Sequence, residues 1–310
     1  MKILVLGTGA IGGFYGGKLA QSGAQVSVVC RSDYEIVKEH GIQVKSVWGD
    51  FHFIPYKVLR TASDFKDSPD FLLVTLKVLP DIEIPKLIQS VVSRETAIVL
   101  LMNGVEIEKP IANAFPDNEI ISGLAFVCVN REAPGLVHHL DYGRLVIGRF
   151  PQGLSQKTRL LARLFDRAGI PCEENEDIVK ARWQKLIWNA PFNPVSVLGG
   201  GLDTSEMLKT DEMTALVRNI MEEISRIAEA TGHKLPVSVI EKNISDTYTM
   251  KPYKTSMLID YEAKRPMEVE AILGNALRVA KEKSLNVPHL QTLYALLHSI
   301  DQKNCLGTSK

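Results

Sequence analysis

The chain has 310 residues, a length that suggests two domains. Its 36 basic and 36 acidic side chains balance, so nothing points to nucleic acid or a membrane surface, and no apolar run approaches the roughly 18 residues of a spanning helix. Four scattered cysteines (Cys30, Cys128, Cys172, Cys305) and seven unclustered histidines lack metal or disulfide spacing, and a first strand beginning at Lys2 leaves no room for a leader peptide, so a cytoplasmic, metal-free protein is expected.

The apolar run Ile3–Leu6 predicts a buried strand. It leads into Gly7-Thr8-Gly9-Ala10-Ile11-Gly12, a glycine turn that opens a helix from about Ala10 to Ser22, closed by Gly23. This arrangement suits a dinucleotide pyrophosphate. Gly7 makes the tight turn, Gly9 lets the backbone approach the phosphates, and Gly12 lets the helix pack on the strand. The helix N-terminus adds unpaired N–H groups and a positive dipole end. A glycine-rich turn without a ligand is the plain alternative, and the strand–turn–helix context argues against it.

A second strand follows at Gln25–Cys30, and its tip selects the cofactor. Arg31 stands there, where a guanidinium would pair with the 2′-phosphate of NADP; an acid would instead take the ribose of NAD. Asp33, two residues on, keeps the NAD alternative open. The runs Phe71–Leu76 and Ala97–Met102 suit strands buried on both faces of a parallel sheet. Lys77 and Asn103 come immediately after them, so with Arg31 they mark three strand tips. Segments 120–130, 135–139 and 145–148 read as antiparallel additions, with turns at 133–135 and at Asp141-Tyr142-Gly143. An amphipathic helix over 154–168 and a short strand over 170–173 complete this half.

From Asp177 onward helical periodicity dominates, over 178–190, 212–231, 238–246, 256–264 and 266–283. The final ten residues read as a frayed polar tail. The expected fold is therefore α/β: a Rossmann-type doubly wound sheet over residues 1–176, then an all-helical domain over 177–310. Within the helical half, Lys185, Asn189 and Asn193 recur every four residues and share one helix face. Pro191 and Pro194 should kink or break that helix. Ser256 reads as a helix N-cap, and Pro266 and Glu268 fit the N1 and N3 positions of the next helix.

The order of these features closely resembles the ketopantoate reductases (2-dehydropantoate 2-reductases) over nearly the whole chain. The features are the GxGAxG loop, Arg31, Lys77, Asn103-Gly104, the Trp183-x-Lys185-Leu-x-x-Asn189-x-x-x-Asn193-Pro block, and Ser256-Met-Leu-x-Asp260 with Glu268. The resemblance implies reduction of 2-dehydropantoate to pantoate by NADPH, for pantothenate and coenzyme A, in a cleft between the two domains. By it, Lys185 is the general acid and Glu268 the carboxylate near it. Asn103, Asn189, Asn193 and Ser256 are substrate-binding. Gly7 to Gly12, Arg31, Lys77 and Asn103 line the cofactor. Two positions depart from the family pattern: Tyr253, where an Asn is usual, and the 265–270 stretch. Reduction of another branched 2-keto acid, a β-hydroxyacid-dehydrogenase-type enzyme and a non-catalytic NADP-binding sensor are the competing readings. The expected partner is a small 2-keto acid, and a homodimer is one state the sequence allows without specifying it.

Overall fold

The computed structural model describes residues 1–306, and their contacts form two compact units. Unit 1 comprises Met1–Lys77, Glu83–Met102 and Glu108–Ile178. Unit 2 takes Val179 onward together with two short segments from the first half, Val78–Ile82 and Asn103–Ile107.

Unit 1 is built on one ten-stranded sheet. Its strands are β1 (Lys2–Leu6), β2 (Gln25–Val29), β3 (Ile42–Ser46), β4 (Phe51–Phe53), β5 (Val58–Leu59), β6 (Phe71–Val74), β7 (Ala97–Leu100), β8 (Ile120–Ala133), β9 (Leu136–Arg149) and β10 (Cys172–Glu174). The order β5-β2-β1-β6-β7-β8 is parallel throughout. It runs outward in both directions from β1 and β6, which makes the β1/β6 boundary the topological switch point. These strands are apolar because both faces are covered: Ile3, Leu4, Val5, Leu72 and Ile98 are all buried. The helices are α1 (Ala10–Gln21), α2 (Tyr34–His40), α3 (Ile84–Ile88), α4 (Lys109–Ala114) and α5 (Gln156–Arg167). The Ser155 hydroxyl caps α5 by accepting the Thr158 N–H at 2.9 Å, and Leu161, Leu164 and Phe165 form its buried stripe.

Beyond β8 the sheet becomes mixed. β9 runs antiparallel to β8, β3 and β10 are parallel to β9, and β4 closes the edge. The turn expected at Asp141–Gly143 is not there. β9 is one continuous strand, and those residues sit at register shifts opposite Phe126–Val129. A bulge satisfies the same local glycine and aspartate signal while keeping the ladder intact.

Unit 2 is helical, with no strand among the described residues. It contains α6 (Ile178–Leu198), α7 (Asp211–Ala230), α8 (Val239–Thr249), α9 (Ser256–Glu262), α10 (Asn275–Glu282) and α11 (Pro288–Leu306), with a π-helical turn at Glu270–Gly274 leading into α10. Its core gathers Trp183, Leu186, Phe192, Ile220, Ile224, Leu273 and Leu290. The prolines do not break α6. The helix passes through Pro191 and Pro194 to Leu198, its packed flanks outweighing the hydrogen bonds lost at the carbonyls of Ile187 and Ala190. The helix expected from Pro266 starts only at Val269, so Pro266 and Glu268 precede it. The tail expected to fray is helical through Leu306, and its last four positions lie outside the described residues. No described helix is long and apolar enough to cross a membrane.

Candidate active site

The glycine loop sits at the switch point of unit 1. Gly7 has φ +98°, and Gly12 is pressed so close that a Cβ there would overlap the Gly7 carbonyl and lie 2.6 Å from Thr75 Oγ1. Gly9 differs: a Cβ would meet nothing within 4 Å, so its backbone borders open space. It is also the N-cap of α1, and no side chain caps that helix end. The first-turn N–H groups therefore have no side-chain acceptor, which suits an anion. Thr75, at the end of β6, donates its hydroxyl to the carbonyls of Leu6 and Gly7 and ties the loop to the neighbouring strand. Thr75 escaped the sequence reading, although a hydroxyl inside the apolar run 71–76 was the available signal.

At the tip of β2, Cys30 is buried against the Thr8 hydroxyl at 2.8 Å, and burial pushes its thiol up to about 11. It is a neutral, packed group. Arg31 is exposed and has no partner among the described residues. Asp33 is the reverse. It is buried, and it accepts from Arg131 Nε at 2.8 Å, from a second Arg131 nitrogen, from the Ser32 hydroxyl at 2.8 Å and from the Gly135 N–H at 3.3 Å. Its carboxylate is spent on holding the turn. Lys77 lies half-buried just past β6. A dinucleotide fits this donor set, with backbone N–H groups for its pyrophosphate and a guanidinium for a further phosphate.

In unit 2 three of the predicted polar residues, Lys185, Asn103 and Glu268, converge. Lys185 Nζ donates to Asn103 Oδ1 at 3.1 Å, and Asn103 Nδ2 donates to Glu268 Oε2 at 2.9 Å. The other carboxylate oxygen accepts the Val78 N–H at 3.1 Å. One amide thus bonds an ammonium on one side and a carboxylate on the other, which fixes the orientation of the amide. Asn103 and Val78 belong to the two short segments that unit 2 takes from the first half.

Asn189 and Asn193 follow Lys185 along α6, with 9 % and 2 % exposure. Their side-chain amides have no hydrogen-bond partner among the described residues. Both asparagines share the Lys185 face of α6, and the one fully buried side-chain polar atom without a hydrogen-bond partner among the described residues is the nearby Trp183 Nε1. Ser256 is not the cap of α9. That position belongs to Thr255, which accepts the Leu258 N–H at 3.2 Å and bonds the Ser196 hydroxyl of α6 at 2.7 Å. Ser256 stands one residue on and is exposed. Nearby, the Tyr253 ring stacks on Trp188 at 6.0 Å, and Trp188 on Phe192 at 4.7 Å.

The model of the ketopantoate reductase PanE/ApbA family matches residues 3–152, and that of the family's C-terminal part matches residues 177–301. The chain is 38% identical to a 2-dehydropantoate 2-reductase of Nostoc sp., over 99% of this chain and 97% of the relative. A crystal structure of 2-dehydropantoate 2-reductase from Methylococcus capsulatus superposes with a TM-score of 0.93 at 50% identity, covering 100% of this chain and 98% of the other. D-mandelate dehydrogenase shares the fold, with a TM-score of 0.89 at 24% identity over 98% of this chain and 99% of the other.

Proposed function

The chain belongs to the ketopantoate reductase PanE/ApbA family, and from that premise we propose that it reduces 2-dehydropantoate to pantoate with NADPH. The observation that carries the reading is the Lys185–Asn103–Glu268 array, with Asn189 and Asn193 following Lys185 along α6. Bound NADPH supplies the hydride. The residues of the chain do the rest. A ketone that accepts hydride gains negative charge on oxygen, and the Lys185 ammonium meets that charge with a hydrogen bond and then its proton. Asn103 and Glu268 hold the ammonium in place from the opposite side. Asn189, Asn193 and Ser256 are assigned to the polar groups of the keto acid. Gly7 to Gly12 cradle the pyrophosphate, with Arg31 and Lys77 toward the 2′-phosphate. Functionally, residues 1–176 are assigned to the nucleotide and 177–310 to the substrate, with Asn103 assigned to the second task and also to the nicotinamide side of the cofactor.

The same proposal includes a cytoplasmic location, a place in pantothenate and coenzyme A synthesis, and a small-molecule partner. Sedimentation tests whether the protein is a homodimer. A second reading, reduction of another branched 2-keto acid, is favoured by the Tyr253–Trp188 stack, because an aromatic ring replaces the family's usual Asn. Purified protein with NADPH and a panel of branched 2-keto acids separates the two. Oxidation of NADPH fastest with 2-dehydropantoate supports the first reading. NADPH binding without turnover of any panel member would sink both. Lys185→Ala should lower kcat by about 10²- to 10⁴-fold and leave NADPH affinity intact.

A further inference from the structure

Residues 103–107 form no helix or strand, yet this irregular stretch carries the amide at the centre of the site. Its carbonyls must find donors elsewhere. Two buried side chains supply them. Arg182, 2 % exposed, donates from Nη1 to the Gly104 carbonyl at 3.0 Å. Asn275, 7 % exposed, donates from Nδ2 to the Val105 carbonyl at 2.7 Å. The Asn275 amide cannot flip, because its oxygen accepts from Arg278, which also bonds Glu270 Oε2 at 3.2 Å. Gly104 completes the fit: with φ +95°, it lies against the π-helical turn so closely that a Cβ would stand 2.8 Å from that of Ala271.

The origin of the two donors matters more than their presence. Arg182 is on α6, three residues before Lys185, and Asn275 opens α10, seven residues after Glu268. The backbone just after the Asn103 amide is therefore tied to α6, which carries Lys185, and to α10, which follows Glu268 along the chain. We propose that Arg182 and Asn275 are positioning residues: by gripping the Gly104 and Val105 carbonyls they keep the Asn103 amide between Lys185 and Glu268. They act through Asn103 and touch no substrate. A misplacement of about 1 Å in such a group lowers turnover by as much as ~10²-fold. The inference rests on the reductase reading only for its kinetic arm.

The test is Asn275→Asp, which keeps the shape and the acceptor for Arg278 and removes the donor to Val105. Turnover should fall by roughly 10- to 100-fold with NADPH affinity unchanged. The loss should vanish in an Asn103→Ala background, because a residue acting through Asn103 adds nothing once that amide is gone. Additive losses, or unchanged turnover, would overturn the proposal. Hydrogen exchange of the Asn103 side-chain amide gives a readout without activity. It should quicken in Asn275→Asp, and unchanged exchange also overturns the proposal. If the protein reduces no 2-keto acid, the functional reading falls while this exchange still decides the inference. Arg182→Lys, which retains the buried charge, carries the same measurements should Asn275→Asp fail to fold.

Discussion

Arg31 and Asp33 stand two residues apart, and the structure treats them oppositely. Asp33 already accepts four hydrogen bonds from Arg131, Ser32 and Gly135, so recruiting it for a ribose would strip a buried carboxylate of its donors. Arg31 is exposed and unengaged among the described residues, and can pair with a 2′-phosphate at no internal cost. Arg31→Ala should therefore raise the NADPH KM by about 10- to 100-fold, the worth of a charge-assisted hydrogen bond of about 1.5–3 kcal/mol, and barely alter that for NADH. Equal effects on the two nucleotides in initial-rate assays would refute the pairing. Asn193 invites a different experiment. The residue is 2 % exposed and its amide has no hydrogen-bond partner among the described residues, so the near-isosteric Asn193→Leu should leave the unfolding midpoint unchanged or raise stability by about 1 kcal/mol. Its kcat/KM for the keto acid should fall by about tenfold or more, since the ligand then loses its donor. A variant that is destabilised yet kinetically normal would show the amide to be structural.

The elements of the chain differ in how plainly they announce themselves, and the reasons are local. α1 carries its own start and stop, a glycine turn and then Gly23 at φ +88°, and was readable almost to the residue. Lys185, Asn189 and Asn193 were legible as one face because helical spacing is fixed by backbone geometry. α11 gave no such notice. Its N-terminus is capped from afar by Glu223 of α7, which accepts the N–H groups of His289 and Leu290 at 3.1 and 2.8 Å, so no capping residue stands beside it in sequence. The strands β3, β4 and β5 are two to five residues long, too short for a periodic pattern to declare itself. The bulge in β9 was read as a turn because both use the same residue types. At this scale the glycine loop makes a sharp forecast. In Gly12→Ala the new methyl would overlap the Gly7 carbonyl and crowd Thr75, forcing α1 off β1 at a cost of about 1–3 kcal/mol. Both the unfolding midpoint and NADPH affinity should drop; a normal dissociation constant would show that the loop does not depend on this close approach.

At the scale of the whole chain, the sequence placed a parallel sheet before a helical half, and the comparisons agree over the full length. What linear reading could not supply is that Val78–Ile82 and Asn103–Ile107 join the helical unit. Nothing in a short irregular segment records which core it will pack against, since that depends on residues as distant as Arg182 and Asn275. Each unit has its own apolar core, and the nucleotide-binding groups named above, Gly7 to Gly12, Arg31 and Lys77, all belong to unit 1. A ligand that binds only the folded chain stabilises it by mass action, by about 2.7 kcal/mol at a hundredfold excess over its dissociation constant. For domains of this size each kcal/mol raises Tm by about 2–4 °C, so saturating NADPH should lift the melting transition by roughly 5–10 °C. NADH at the same concentration should lift it much less, because it lacks the phosphate assigned to Arg31 and Lys77, and Arg31→Ala should narrow the difference between the two nucleotides. Differential scanning calorimetry reads all three arms without any substrate. A shift of equal size with NADH and NADPH in the unmodified protein would remove the 2′-phosphate from the recognition scheme and return the cofactor preference to Asp33, at the expense of the hydrogen bonds that now hold the strand-tip turn.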